Sequence, residues 1–133
     1  MSTRYLVTFD DYTKRHYIKK FKKDYSERVW RATETAIRAL CENLEETLKT
    51  EKLETISQHE HLKLCKLYFA VAGTKKSAKA SGCRGIVVVD GSKKWVRILL
   101  VYHKQYIVRS GNETVAWKKV VAENFPEYKH LLN

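Results

Sequence analysis

The sequence predicts an α+β fold: a small, mostly antiparallel sheet of about four strands, an N-terminal helical hairpin packed on it, and a C-terminal helix. Three observations predict it. Apolar residues recur at steps of three and four from Trp30 through Thr33, Ile37, Leu40 and Leu44 to Leu48, the stripe of an amphipathic helix. Two β-rich runs, Ile86 to Val89 and Trp95 to Tyr102, flank a glycine-containing turn. With 133 residues, 44% of them hydrophobic and only one proline, the chain has a core's worth of apolar side chains and no linker, so residues 1–133 form a single domain.

Arg4 to Phe9, RYLVTF, reads as a first strand. Asp10, Asp11 and Thr13 offer caps for a helix from about Thr13 to Lys23, with Tyr17 and Phe21 on its buried stripe. Asp24 and Glu27 have capping-box spacing and start a second helix that runs to about Lys49. Lys52 to His61 reads as a connection with a short extended piece at Thr55-Ile56. His61 to Ala72 reads as a strand, and Gly73 to Gly82, GTKKSAKASG, as a basic loop. That loop lacks the GxxxxGK[ST] spacing of a P-loop.

Cys83 to Lys104 is the centre of the pattern. Gly91 in Asp90-Gly91-Ser92-Lys93 suits a two-residue type II′ turn, which sets Val88 opposite Trp95, Ile86 opposite Arg97 and Arg84 opposite Leu99. Side chains alternate along strands, so Arg84, Arg97 and His103 are expected on one face. Gln105 to Gly111 is a polar connection. Asn112 caps a helix of about Glu113 to Asn124, Phe125-Pro126 ends it, and Glu127 to Leu132 forms a last helical turn.

The formal net charge of +11 favours polyanion partners. From His61 to Asn112 there are eleven Lys and Arg against one acid, Asp90, whereas Glu42 to Glu54 holds five Glu against two Lys, so one side of the molecule is expected to be basic. The six basic residues from Lys14 to Lys23 suit a solvated helix or one that faces RNA. There is no apolar run of membrane-spanning length and no signal-peptide pattern, and three cysteines without framework spacing suit reduced thiols, so a cytoplasmic protein is expected.

His59, His61, Cys65 and Cys83 match no zinc spacing, and no metal site or cofactor is expected. The cysteines lie in apolar contexts that suit structural thiols better than nucleophiles. Phosphate chemistry without metal remains. RNA carries its own nucleophile, the 2′-OH, and cleavage needs a base, cations around the phosphate and an acid for the leaving 5′-oxygen. Arg84, Arg97, Lys66, His103, Lys104 and Tyr102 are residue types that meet those needs, with Lys63, Lys75, Lys76 and Lys79 as further substrate contacts.

The short first strand, the FKKDY helix, the longer helix and then KLYFAVAG, CRGIVVVD and VRILLVYHK together resemble the RelE/ParE toxin superfamily, above all its RelE and HigB-like branches, over roughly Arg4 to Val121. The resemblance implies a RelE-like fold and a toxin of a toxin–antitoxin pair: a ribosome-dependent mRNA endonuclease acting by 2′-OH attack, with mRNA, the ribosome and a cognate antitoxin as partners. It implies that Arg84 holds the scissile phosphate, that Lys66 stands among the basic positions of the second strand, and that His103 and Lys104 take the place of the catalytic basic residue. Among Tyr102, His103 and Tyr106, His103 is the choice for general base. Arg97 has no clear counterpart, the loop Gly73 to Gly82 is longer than in RelE, and the helix Glu113 to Asn124 replaces a short tail. Two alternatives stand beside this reading, a ParE-like inhibitor of gyrase and a non-catalytic RNA-binding module.

Overall fold

The computed structural model describes residues 4–108 and 111–132. Among the described residues one five-stranded sheet has the order β1-β5-β4-β3-β2, built from β1 (Leu6–Phe9), β2 (Leu53–His59), β3 (Leu62–Phe69), β4 (Cys83–Asp90) and β5 (Trp95–His103). β1 runs parallel to β5 and the other neighbours are antiparallel. The additional strand is β2, where the sequence pattern predicts a connection with a short extended piece at Thr55-Ile56. It lies at the sheet edge with only Leu53 fully buried, and its register shifts between Thr55 and Ser57, so the alternation that marks a strand is missing.

β1 is the other edge, with Val7 and Phe9 turned inward. Its outer side is blunted by Arg38, whose Nη1 donates to the Val7 carbonyl at 2.7 Å. Because β1 stops early, the last part of β5 lacks a strand neighbour. Thr13 fills that gap: its hydroxyl oxygen accepts from the Val101 amide at 2.8 Å.

The first helical segment is α1 (Asp11–Thr13), a π-helical turn (Lys14–Ile18) and α2 (Lys19–Tyr25). Asp10 caps it by accepting from the Tyr12 amide at 2.9 Å. The wider π turn lets neighbours Tyr17 and Ile18 enter different cores, one on each side of the sheet. α3 (Glu27–Glu42) starts at Ser26, whose Oγ accepts from the Val29 amide at 3.2 Å, and not at the expected Asp24 cap. The helix expected to reach Lys49 breaks at Asn43 and resumes as α4 (Leu44–Leu48). A short α5 (Lys104–Ile107) stands where a polar connection was expected, and α6 (Glu113–Asn124) has the predicted bounds and the predicted Asn112 cap. A 3-10 turn (Pro126–Leu131) follows.

Each face of the sheet has its own core. Phe21, Trp30, Ile37, Cys41 and Leu44 pack on the first face against Cys65, Leu67, Val87 and Ile98. Trp117, Val121, Phe125, Tyr128 and Leu131 pack on the second against Leu64, Ile86, Val88, Leu99 and Leu100. Burying each such aliphatic or phenyl side chain stabilises the fold by about 1.5–3 kcal/mol. This double burial explains why β4 is buried from end to end.

The β4–β5 hairpin differs from the expected one in two ways. Asp90 pairs with Trp95, so Gly91 to Lys94 all lie in the loop, and Val88 stands opposite Arg97. The cause is Asp90: its carboxylate accepts from the Ser92 and Lys93 amides, both at 2.9 Å, and Lys94 takes a positive φ of 58°. A register shift between Ile86 and Val87 then leaves Leu99 and Leu100 both in the second core. Beyond it the alternation is reversed. Arg84 pairs with Tyr102, and His103 pairs with Cys83, which belongs to the first face.

Candidate functional site

The second face changes character toward the start of β4. Its apolar part lies beneath α6 and the 3-10 turn, but its end carries Glu54, Lys66, Tyr68, Arg84 and Tyr102. Tyr68, Arg84 and Tyr102 form one row across β3, β4 and β5, and Lys66 sits two residues before Tyr68 on the same side. Three cations surround the Tyr68 ring: the Arg84 guanidinium at 4.6 Å from its centre, Lys79 Nζ at 5.2 Å and Lys66 Nζ at 5.7 Å. The Tyr68 hydroxyl donates to Glu54 Oε1 at 2.5 Å.

Glu113, the first residue of α6, closes this cluster from the other side. Its Oε2 accepts from the Tyr102 hydroxyl at 2.7 Å and lies 3.1 Å from Lys66 Nζ. Burial pushes the Glu113 carboxyl up, but the hydrogen bonds from Tyr102 and Lys66 and the charges of Lys66 and Arg84 outweigh it and hold the group below its ordinary value. Burial, with Glu113 as acceptor, pushes the Tyr102 phenol far up. Burial and the Glu54 hydrogen bond push the Tyr68 phenol up to about 12.

Arg84 has no carboxylate within ion-pair distance among the described residues. Its guanidinium instead donates to backbone carbonyls of its own loop, Cys83 and Lys79 at 3.0 Å and Ala78 at 3.4 Å, and it is only 5% exposed. Lys79 is exposed, as are Lys75 and Lys76 on the same loop.

The other expected site residues do not join this cluster. Arg97 shares the second face but lies at its far end, held by Asp10 Oδ2 at 2.8 Å, the Tyr128 hydroxyl at 3.0 Å and Glu127 Oε2 at 3.4 Å. His103 stands on the first face, opposite Cys83, so the expected common surface of Arg84, Arg97 and His103 is not formed. The reversal at Leu99-Leu100 is the reason. The His103 Nδ1 accepts from the Gln105 amide at 3.1 Å and so caps α5, and the ring also contacts the Ser81 backbone. Burial pushes its pKa down; the Ser81 contact opposes this and the charges of Lys76, Arg84 and Lys104 add to it. Gly82 is what lets the ring lie there, because a Cβ on it would come within 2.9 Å of His103 Nε2. Lys104 is exposed at the start of α5, and Lys63 lies at the opposite end of the sheet near Tyr5 and Glu45.

The cysteines are all buried. Burial pushes the Cys41 thiol up to about 12 and the Cys65 thiol up to about 11, which keeps both protonated and unreactive at neutral pH. His59 packs its ring edge-on to His130, and His61 lies 3.5 Å from Asp90, so neither faces Cys65 or Cys83 as a shared ligand.

Sequence reasoning missed Glu54, Tyr68 and Glu113. Tyr68 was findable, since it stands two residues after Lys66 on a strand and must share its face. Glu54 was hidden because β2 was, and Glu113 because the docking of α6 on the sheet leaves no local mark.

No family model matches the chain, and no curated protein matches it. A solved structure, the archaeal RelE–RelB complex from Pyrococcus horikoshii OT3, is similar at 16% identity and a TM-score of 0.49, over 77% of this chain and 96% of that one.

Proposed function

We propose that the protein is the toxin of a toxin–antitoxin pair, a RelE-like mRNA endonuclease of the cytoplasm that acts on ribosome-bound message and is silenced by a cognate antitoxin. The observation that carries this reading is the cationic end of the second face: Lys66, Lys79 and Arg84 within 6 Å of one tyrosine ring, with Arg84 and Lys79 lacking an acidic partner among the described residues. Gathering like charges is unfavourable unless an anion joins them, and a phosphodiester is the anion that a basic protein of this kind meets in RNA.

The chemistry assigns roles. Lys79, exposed, contacts the phosphate, and Lys66, buried beside Glu113, and Arg84, beneath the Tyr68 ring, add their fields. Glu113 is a poor base, since two donors already occupy it and its pKa is depressed. Glu54 is exposed and has a single partner, so it takes the proton of the 2′-OH. The 2′-oxygen bonds to phosphorus, the bond to the 5′-oxygen breaks, and Tyr68 protonates that oxygen. Glu54 then returns its proton to Tyr68 along their 2.5 Å hydrogen bond, which closes the cycle. This assignment takes the place of a base at His103.

The test is expression without a partner, with mRNA ends mapped. The protein should arrest growth and leave message fragments ending in a 2′,3′-cyclic phosphate. Tyr68→Phe and Glu54→Gln should each lower cleavage at least about 100-fold, the usual share of a general acid or base. Undiminished cleavage by both variants overturns the roles.

The burial of Arg84 under its own loop and the pairing of Lys66 with Glu113 favour a second reading, a non-catalytic toxin acting through protein contacts, ParE-like, on gyrase. Growth arrest with intact mRNA and induced DNA-damage signals selects it.

A further inference from the structure

A cleft of about 420 Å3 opens along the first helical segment, lined by none of the residues of the Tyr68 cluster. Its lining is Tyr12, His16, Tyr17 and Tyr106 among aromatic rings, and Arg15, Lys19, Lys20 and Lys23 among cations. The volume falls within the usual ~300–1,000 Å3 of small-ligand sites, enough for one nucleotide.

Two features make this more than a solvated basic helix. The first is the π turn at Lys14–Ile18. Along it Tyr12 and His16 bring their rings together, centres 4.3 Å apart and planes tilted by 38°, with His16 exposed. The second is charge. Arg15, Lys19, Lys20 and Lys23 have no acidic partner within ion-pair distance among the described residues, although Asp24 is close by. Asp24 is occupied otherwise, accepting from the Tyr106 hydroxyl at 2.6 Å. Lys20 is poised over the cleft, its Nζ 5.9 Å from the Tyr17 ring centre and 5.5 Å from that of Tyr106. Flat rings beside unpaired cations form the pattern that holds single-stranded nucleic acid, bases on the rings and backbone on the cations.

We infer that this cleft is a binding site for one nucleotide of a single-stranded nucleic acid, with its base stacked on the His16–Tyr12 pair and its phosphates held by Lys19, Lys20 and Lys23. The site does not rest on the cleavage reading: it needs neither Glu54 nor Tyr68, and it stands in a protein that binds RNA without cutting it. A duplex, whose bases are already stacked, has no base to offer the rings.

The experiment is fluorescence anisotropy of the purified full chain with labelled 12-nucleotide oligo(U), oligo(dT) and a 12-base-pair duplex over a salt series. Exposed or half-exposed positions are chosen so that folding is kept, with the circular dichroism melt as control. Lys20→Ala/Lys23→Ala should weaken single-strand binding at least tenfold and flatten the salt slope by about 1.4, since each lysine lost from a single-strand contact removes about 0.7. His16→Ala should weaken oligo(U) and oligo(dT) at least about fivefold and leave the duplex unchanged, as loss of a stacking platform does. Lys118→Ala/Lys119→Ala, equal in charge and placed on α6, should change binding less than twofold. The inference is overturned if the α6 pair costs as much as the cleft pair, if His16→Ala leaves single-strand binding intact, or if wild-type protein binds the duplex as tightly as the single strands. mRNA cleavage is read separately, so each proposal can fail alone.

Discussion

Arg84 and Arg97 stand on the same face of the same hairpin, yet their surroundings differ in kind. Arg97 meets two carboxylates and a phenol, joining β5 to the start of α1 and to the C-terminal turn. Arg84 meets carbonyls and a tyrosine face, with two lysines beside the same ring. A cation whose charge is cancelled by its own chain holds the fold together. A cation left uncancelled beside others stores a capacity for an outside anion. The same residue type therefore serves structure at one end of the sheet and points to function at the other.

Removing each arginine is the most direct way to break this contrast. Arg97→Ala should cost about 2 kcal/mol in urea unfolding, between the values for exposed and for buried ion pairs, because Asp10 is left without its partner. A loss below about 0.5 kcal/mol would mean that the cancelled charge contributes nothing special. The Lys66–Glu113 pair sits between the extremes. Lys66→Met should cost about 1–2 kcal/mol, and Glu113→Gln added to it should recover part of that, with a coupling of at least about 0.5 kcal/mol in a double-mutant cycle. Additive losses would show that the two do not act as a pair.

Acid titration sharpens the same point. Glu113 has a folded pKa below the ordinary 4.5 of a glutamate, so it binds a proton more readily unfolded than folded. Its contribution is complete above that value and is lost as pH falls through the folded pKa. The stability gap between wild type and Glu113→Gln should thus be constant near neutrality and close below about pH 4.5, followed by urea midpoints. The smallest effect is expected at Arg84. Arg84→Met keeps the stem over Tyr68, and relief of repulsion from Lys66 and Lys79 offsets the lost hydrogen bonds, so stability should change by less than about 1 kcal/mol while oligonucleotide binding weakens. A drop above 2 kcal/mol would make Arg84 a loop clamp first, like Arg97.

Much of the architecture could be read from residue order alone because it was written locally. The Trp30 to Leu40 part of the apolar stripe, the Asn112 cap and the Ile86 to Val89 run each predict an element without knowledge of any other. The site was less legible for a reason that is also physical. Which residues share a face depends on counting by twos along the hairpin: Asp90 enlarges the turn and moves the register by two, which keeps the faces, but the shift near Leu99 changes the parity. Arg84, Lys66 and Tyr102, three of the residue types that suit phosphate chemistry, lie together. Arg97 lies on their side but far along it, and His103 lies on the other. Glu113 arrives from a helix whose docking no neighbouring residue announces.

The doubled leucine at Leu99-Leu100 has a consequence for comparing this chain with any distant relative. Matching two such hairpins position by position, with no gap, equates Tyr102 or His103 with whichever residue has the same offset from the turn. One chain with the extra strand residue and one without would then be matched inside to outside for the remainder of β5. A deletion of Leu100 would do in one molecule what such a misalignment does on paper: carry the imidazole across the sheet and turn the phenol away from Glu113.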